Sequence, residues 1–244
     1  MSVLFERILA AHGGAERWQR LNAVMAVVSM GGLEFTSRFQ AQPLRDAEVT
    51  VSTAGPDVAI AGYPRAGVTA HFQPSRVWLQ ADDGTVLEER TAPGTVFHSP
   101  RHWLWWDTLD VTYYCGLTLW QTLCMPFLLL REGCYVEELD KLTIDGERYY
   151  RLSVRLPCDI PSLSAELTLY ADATGLLRRI DSVPRLYGSL LRVGQVLEDN
   201  EECDGLVVST RRRTMTAMPG GHLVSGLSMG WINLDDIRAA ELAS

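Results

Sequence analysis

The sequence has no excess of positive charge. Lysine and arginine number 22 of the 244 residues against 30 aspartates and glutamates, which gives a formal net charge of -8. A protein that follows a nucleic-acid backbone needs clustered basic side chains to release counterions, so this balance argues against a nucleic-acid partner. The one basic cluster, Arg211 to Arg213, is short, and its pattern is typical of a solvated strand end.

The sequence also lacks the motifs of the common catalytic and cofactor sites. It contains no G-x-S-x-G elbow, no H-E-x-x-H helix, no glycine-rich phosphate loop and no dinucleotide fingerprint. His98 and His102 are four residues apart, but Pro100 falls between them and disfavours a shared helix face. We therefore expect neither a metal nor a cofactor.

Cysteines are few and carry no recognisable spacing. The five are widely separated and form no C-x-x-C pair, which predicts reduced, mostly buried side chains and neither a disulfide framework nor a zinc site. The N-terminal residues have no long apolar segment followed by a small-residue cleavage site, so we expect no secretory signal and a cytoplasmic location.

Most of the chain consists of short β-prone runs separated by turn dipeptides such as Gly55-Pro56, Asp145-Gly146 and Asp204-Gly205. The run from Leu33 to Gln40 is predicted as one of these strands. We predict a single domain over residues 1–244, with N-terminal helices at 1–22, a first antiparallel meander at 23–99, an aromatic-rich helical plug at 100–133, a second meander at 134–234 and a short C-terminal helix at 235–244.

The predicted fold class is mainly β with helices (α+β). A single antiparallel sheet of about ten or more strands tends to curl, and closing it removes its exposed edges. We therefore expect a strongly curved antiparallel sheet or a half-open β-barrel, with helices covering its concave face.

The segment from Pro100 to Gly133 contains four of the seven tryptophans and almost no charge. It is nominally long enough to span a bilayer, but its threonines, Gln121 and Pro126 argue against stable membrane insertion. A helix here is apolar nearly all round, so it either fills space inside the sheet or forms the wall of a ligand cavity. For the cavity, the predicted lining residues are Trp103, Trp105, Trp106, Tyr113, Tyr114, Leu117, Trp120, Gln121 and Phe127.

Two residues beside this segment are candidate acid–base groups. Asp107 in WWDTLD is interpreted either as a residue at the start of the helix or as a carboxylate whose pKa is raised by its tryptophan neighbours. His98 is the natural partner for the second role, because its ordinary pKa lies near neutrality; the alternative is a loop histidine bonded to backbone.

Several segments together resemble a known family: AHGGAERWQRL, GERYYRLSVRL, AELTLYADATGLLRRID, DNEECDGLVVSTRRR and FHSP…WWDTLDVTYYCGLTLWQTLCMPF. They look like a family of uncharacterised soluble bacterial proteins, which in turn resembles the lipoprotein carriers of the LolA/LolB type. The resemblance covers nearly the whole chain and implies an open half-barrel that cradles acyl chains or another hydrophobic molecule. Unlike the secreted carriers, this chain shows no signal peptide and no lipobox cysteine, which argues against lipoprotein transport between membranes.

The function predicted from the sequence is binding of a hydrophobic small molecule, of lipid, polyketide or terpenoid type, in a cavity lined by tryptophan and tyrosine. The alternative is a cofactor-free enzyme, a cyclase or isomerase, that acts on such a molecule in the same cavity. The sequence leaves the oligomeric state open.

Overall fold

The computed structural model describes residues 2–98, 100–184, 191–218, 220–224, 226 and 228–242, without the side chains of residues 98, 100 and 102. The α-helices in this part of the chain are Val3–Ala11 (α1), Ala15–Gln19 (α2), Leu33–Thr36 (α3) and Thr108–Cys124 (α4). Short 3₁₀ helices cover Pro93–His98, Pro100–Trp103 and Phe127–Leu130. The predicted pair of N-terminal helices and the helical character of the aromatic segment are therefore confirmed.

Thirteen strands are found in the described residues, and they form one antiparallel sheet. Six precede α4: Leu21–Gly31 (β1), Leu44–Ser52 (β2), Val58–Ala61 (β3), Val68–Gln73 (β4), Arg76–Ala81 (β5) and Val86–Thr91 (β6). Seven follow it: Tyr135–Ile144 (β7), Glu147–Arg155 (β8), Glu166–Ala171 (β9), Leu177–Ser182 (β10), Val193–Cys203 (β11), Leu206–Thr216 (β12) and Gly230–Glu241 (β13).

The order of the strands follows the chain, with one exception. It runs β6-β5-β4-β3-β2-β1-β13-β12-β11-β10-β9-β8-β7, so each flank is built from sequential hairpins and the last strand lies between β1 and β12. This is the antiparallel architecture with a helical interruption that the turn dipeptides predict.

The chain divides into two compact units. One contains Met1–Arg20 and Met125–Trp231, and the other contains Leu21–Cys124 and Ile232–Ser244. The single-domain organisation stays a prediction, because this division does not say whether either unit can fold alone.

In the unit that contains α4, the strands bury alternate side chains, as expected of a sheet with one covered face. Val68, Ala70 and Phe72 of β4 are buried, and Val77 and Leu79 of β5 are buried beside them. Phe72 lies directly opposite Val77, so these side chains share one face. Helix α4 packs on this face, against β2, β3, β4 and β5.

The prediction of a strand from Leu33 to Gln40 is wrong, because this segment forms α3 and a following turn. Gly32, at φ 126° and ψ -176°, interrupts the extended backbone after β1, and the N–H groups of Phe35 and Thr36 donate to its carbonyl. Phe39, at φ 64°, then reverses the chain toward β2. Charged residues four apart, Glu34 and Arg38, are the helical signal that the β-prone interpretation overlooked.

The prediction of a C-terminal helix at 235–244 is also wrong, because β13 continues to Glu241. The spacing of Ile232, Leu234 and Ile237 does not alternate regularly and therefore resembles a helical pattern. In the structure, Asp236 adopts a positive φ of 48°, and the buried face changes there from even-numbered to odd-numbered positions. One irregular residue thus accounts for the break in periodicity.

The AHGG segment docks the N-terminal helices in the other compact unit. The Val207 N–H donates to the His12 carbonyl over 3.2 Å, and Arg17 Nε donates to the Asp204 carbonyl over 2.9 Å. At Gly13, with φ +114°, an added Cβ would lie 2.2 Å from the Gly205 carbonyl oxygen. The break between α1 and α2 therefore rests directly on the β11–β12 turn, and only glycine fits there.

We predict that Gly13→Ala destabilises the protein more than Gly14→Ala does. Both glycines have positive φ, but an added Cβ at Gly14 meets nothing within 4 Å. Gly14→Ala carries backbone strain of about 1–3 kcal/mol, and Gly13→Ala adds a steric conflict worth roughly 2 kcal/mol more. Urea unfolding measures both losses, and equal losses would contradict the close contact with Gly205.

Candidate functional site

Helix α4 lies unusually close to the sheet because of one glycine. A Cβ added at Gly116 would lie 2.3 Å from Cβ of Phe72, so the helix backbone rests directly on that side chain. Nearly every side of the helix is buried, including Leu117 and Trp120. The apolar composition of α4 thus reflects burial on several sides, as the sequence predicts.

The helix begins at a reciprocal capping pair formed by two aspartates. The Asp110 N–H donates to Asp107 Oδ1 over 2.9 Å, and the Asp107 N–H donates to Asp110 Oδ2 over 3.1 Å. This is the arrangement of a capping box, in which the side chains at the N-cap and N3 positions accept from each other's backbone N–H groups. Of the two interpretations of Asp107, the one at the start of the helix is confirmed.

Two arginines complete a four-charge cluster at this helix end. Arg90 of β6 contacts Asp107 over 2.7 Å and Asp110 over 2.5 Å. Arg101 contacts the same two carboxylates over 2.6 Å and 2.8 Å. The Asp110 side chain is only 1% exposed, so the two guanidiniums compensate for its burial. The cluster fastens both β6 and the preceding 3₁₀ segment to the start of α4.

The expectation of a raised pKa for Asp107 is wrong. Burial alone would raise the pKa, but hydrogen bonds from Arg90, from the Asp110 N–H and from Arg101 outweigh it and lower the pKa to about 2. For Asp110 the direction is opposite, because burial and the adjacent Asp107 carboxylate raise its pKa. The side chain of His98 lies outside the described residues, so the proposed pairing of His98 with Asp107 stays a prediction.

Trp106 is the centre of an aromatic cluster and is 0% exposed. Its ring centroid lies 4.9 Å from that of Tyr114, 5.8 Å from Phe35 and 5.6 Å from Phe97. The guanidinium of Arg38 stacks on the same indole at 4.7 Å. These contacts join α3, α4 and the 3₁₀ segment Pro93–His98 into one packed group.

The 3₁₀ segment Pro93–His98 covers Tyr113 of α4. Phe97 packs on the Tyr113 ring with centroids 5.3 Å apart, and Phe72 of the sheet lies on it at 5.5 Å. At Gly94, a Cβ would approach Tyr113 Oη to 2.8 Å, which explains a glycine at this position. Burial raises the pKa of Tyr113, so its phenol stays protonated.

Two indoles that precede Trp106 in the chain are accessible at the surface. Trp103 is 46% exposed and Trp105 is 47% exposed, while Leu104 between them is more exposed still. Arg101 stacks on Trp105 at 4.8 Å, so the guanidinium that holds the two aspartates also orients this ring.

The structure therefore brings together most of the predicted lining residues but gives them different environments. Trp106, Tyr114, Leu117 and Trp120 are buried in packing, Tyr113 and Gln121 are half-buried, and Trp103 and Trp105 are accessible. Phe127 belongs to the other compact unit, where its ring stacks on Trp18 with centroids 4.7 Å apart. Contact of these residues with a ligand stays a prediction.

Sequence reasoning missed a buried polar pair beside the cluster. Tyr114 Oη donates to Glu34 Oε2 over 2.7 Å, and Arg38 donates to the Glu34 carbonyl over 2.6 Å. Glu34 of α3 and Arg38, two residues beyond its end, are both buried. Their i, i+4 spacing would have identified a helix, but not its contact with Trp106, which depends on residues far apart in the chain.

Metal-binding groups and membrane-spanning helices are both absent from the part of the chain that the structure describes. Across the described ranges, no three histidine, cysteine, aspartate or glutamate side chains are grouped so that they could hold a metal ion. Among the same residues, no helix combines the length and the apolar character needed to cross a bilayer.

Comparison with known proteins identifies the fold. No family model and no curated protein matches the chain. A LolA superfamily protein from Nitrosomonas europaea has a similar structure, with a TM-score of 0.55, 14% identity, and coverage of 99% of this chain and 96% of that one. The chain has a LolA-like fold. A putative outer membrane lipoprotein-sorting protein domain from Vibrio parahaemolyticus is also similar, with a TM-score of 0.53, 13% identity, and coverage of 97% and 90%.

A third similar structure is a DUF1329 family protein from Desulfovibrio piger, with a TM-score of 0.52, 12% identity, and coverage of 99% of this chain and 93% of that one. Identities this low show the LolA-like fold alone. They confirm the fold implied by the sequence resemblance, and they assign no role to a residue.

We predict that Asp107→Asn removes a pH-dependent part of the stability while keeping the helix cap. Because the folded-state pKa of Asp107 is lowered, its charge stabilises the fold above about pH 4, and this contribution is lost as pH falls toward about 2. Asparagine caps helices as well as aspartate does, whereas Asp107→Ala should lose about 1 kcal/mol more at every pH.

Urea unfolding of the three proteins between about pH 7 and about pH 3 tests this. The difference in unfolding free energy between wild type and Asp107→Asn should shrink on acidification. A difference that stays constant would show that the four-charge cluster contributes nothing through the charge of Asp107.

Proposed function

We propose that the protein binds a hydrophobic small molecule at the aromatic cluster of α4, with Trp103 and Trp105 in direct contact with the ligand. The observation that carries the proposal is the pair of half-exposed indoles directly before the buried Trp106 in the chain. Large apolar side chains that are exposed side by side are typical of binding surfaces and costly elsewhere.

The exposed indole area gives a rough size for the ligand. A covered tryptophan buries roughly 200 Å², so about 100 Å² of each ring remains open, worth roughly 2.5 kcal/mol per ring when a ligand covers it. Two rings then provide about 5 kcal/mol, a sub-millimolar affinity before the cost of association. Micromolar binding therefore needs a ligand that extends well beyond the two rings, such as an acyl chain or a fused ring system.

The fold supports the same proposal. One protein of similar structure is a putative outer membrane lipoprotein-sorting protein domain, and a lipoprotein carries a lipid. We extend only the hydrophobic nature of that lipid to the ligand of this chain. A lipid, a polyketide and a terpenoid remain the candidate classes, and the cytoplasmic location expected from the sequence plays no part in the proposal.

The alternative of a cofactor-free cyclase or isomerase needs a proton donor or acceptor at the cluster. Asp107 is ion-paired with two arginines and its pKa is lowered to about 2, which suits a structural charge and not a general acid near neutral pH. The enzyme hypothesis therefore stays a prediction without a specific observation in its favour.

We predict that a brominated fatty acid quenches the fluorescence of Trp103 and Trp105, because bromine quenches an indole on contact. The double variant Trp103→Leu/Trp105→Leu should lose most of the quenching and bind the probe more weakly. Trp78→Leu is the matched control. Trp78 is also partly exposed, but it stacks on His71 at 4.7 Å on the face of β5 opposite the buried Val77 and Leu79.

Equal quenching in wild type and the double variant would place the ligand elsewhere, and an absence of quenching in wild type would refute binding of an acyl chain. Displacement of the bound probe by a sterol or by a polycyclic aromatic ketone then ranks the candidate ligand classes.

A further inference from the structure

A cavity of about 320 Å³ lies in the compact unit that contains β8, β9 and β10. Its volume is at the lower end of the range of small-molecule pockets, about 300–1,000 Å³. None of its lining residues belongs to the aromatic cluster, and most of them are polar. The cavity therefore has a chemistry different from that of the proposed hydrophobic site.

Three polar side chains form a row along one wall. Ser153 lies opposite Thr168, and Thr168 lies opposite Asp181, on three neighbouring strands. Directly opposed residues in an antiparallel sheet project from the same face, so the two hydroxyls and the carboxylate stand side by side. Neither hydroxyl makes a hydrogen bond to another described residue, so both can donate to a ligand and accept from it.

The carboxylate of Asp181 is fixed in place and only 2% exposed. Arg179 donates to its two oxygens over 2.5 Å and 2.9 Å, and Tyr170 Oη donates to Oδ2 over 3.0 Å. A carboxylate offers about four acceptor positions, so one remains for a donor in the cavity. Gly194 of the neighbouring strand β11 makes room for the Arg179–Asp181 pair, because a Cβ added there would lie 2.8 Å from Asp181 Oδ1.

The rest of the lining is mixed. Val183 supplies apolar surface, and Arg192 supplies a guanidinium that pairs with no carboxylate among the described residues. The charge of Asp181 is balanced by Arg179, and Glu166 faces Arg155 at 3.6 Å at the exposed rim. A ligand that fits this wall presents hydroxyl groups along an edge and C–H groups on a face.

We propose that this cavity binds a saccharide ring. A pyranose has hydroxyls around its edge, which can pair with Ser153, Thr168 and the fixed Asp181, and C–H groups on its faces, which Val183 can cover. Arg192 donates to ring-edge oxygens. The ring comes either from a free sugar or from the head group of a glycolipid. This site is independent of the hydrophobic site on α4, and its test does not depend on that proposal.

Saturation-transfer NMR with methyl β-D-glucopyranoside as the probe tests the proposal on the full chain. The expected result is transfer to the ring protons, with about five-fold weaker binding in Thr168→Val and in Ser153→Ala, because each loses one hydrogen bond. Thr168→Val keeps the shape and β-branching of the side chain. Thr50→Val, at an exposed position of β2 in the other unit, is the matched control and should bind as wild type does.

Absence of saturation transfer, or binding unchanged in both cavity variants, would overturn the proposal. A site that binds inorganic phosphate and not the glucoside would also overturn it and would indicate an anion site at Arg192. Vesicles of phosphatidylcholine with and without a glucosyl lipid separate the two sources: retention only on the glucosyl vesicles, lost in Thr168→Val, shows that the cavity takes a lipid head group.

Discussion

A helix can approach a β-sheet only as closely as the side chains at the contact allow, and in this protein that distance is set by Gly116 against Phe72. Glycine inside a helix costs about 1 kcal/mol relative to alanine, so the close packing of α4 must offset that cost. The short distance lets Tyr113 of α4 reach Phe72, and the same helix presents Tyr114 to Phe35 of α3. The tyrosines that α4 contributes to the aromatic cluster depend on this close contact.

The helix is held at its N-terminus by charge as well as by the aromatic contacts of Trp106 and Tyr114. WWDTLD places two aspartates among tryptophans, a setting that by itself would favour their neutral forms. The pKa of Asp107 is lowered instead, because Arg90 of β6 and Arg101 of the preceding 3₁₀ segment both pair with its carboxylate. The pKa of this carboxylate is thus decided by arginines that are not adjacent to it in sequence, and the residues next to Asp107 do not predict their positions.

How far the sequence predicts this structure depends on whether the signal is local. Turn dipeptides and alternating burial are local, and they predicted the antiparallel strands and the helical interruption. The segment 33–40 was misassigned because α3 is a single turn, too short to show a helical pattern. The end of β13 was misassigned because Asp236 shifts the alternation of buried positions. At the site, residue types indicated the aromatic cluster. The pairing of Tyr114 with Glu34 and the polar row of Ser153, Thr168 and Asp181 come from contacts between distant segments.

The order of strands also has a consequence for how the chain can be assembled. Each compact unit is completed by a segment from the opposite end of the sequence: the N-terminal helices join the unit of the later strands, and most of β13 joins the unit that begins with β1. Sequential hairpins on either flank can form from nearby residues, and β1 pairs with β2 in this way, but its second neighbour β13 follows only after more than half of the chain. During synthesis, the unit that carries the aromatic helix must therefore wait for the last strand to leave the ribosome.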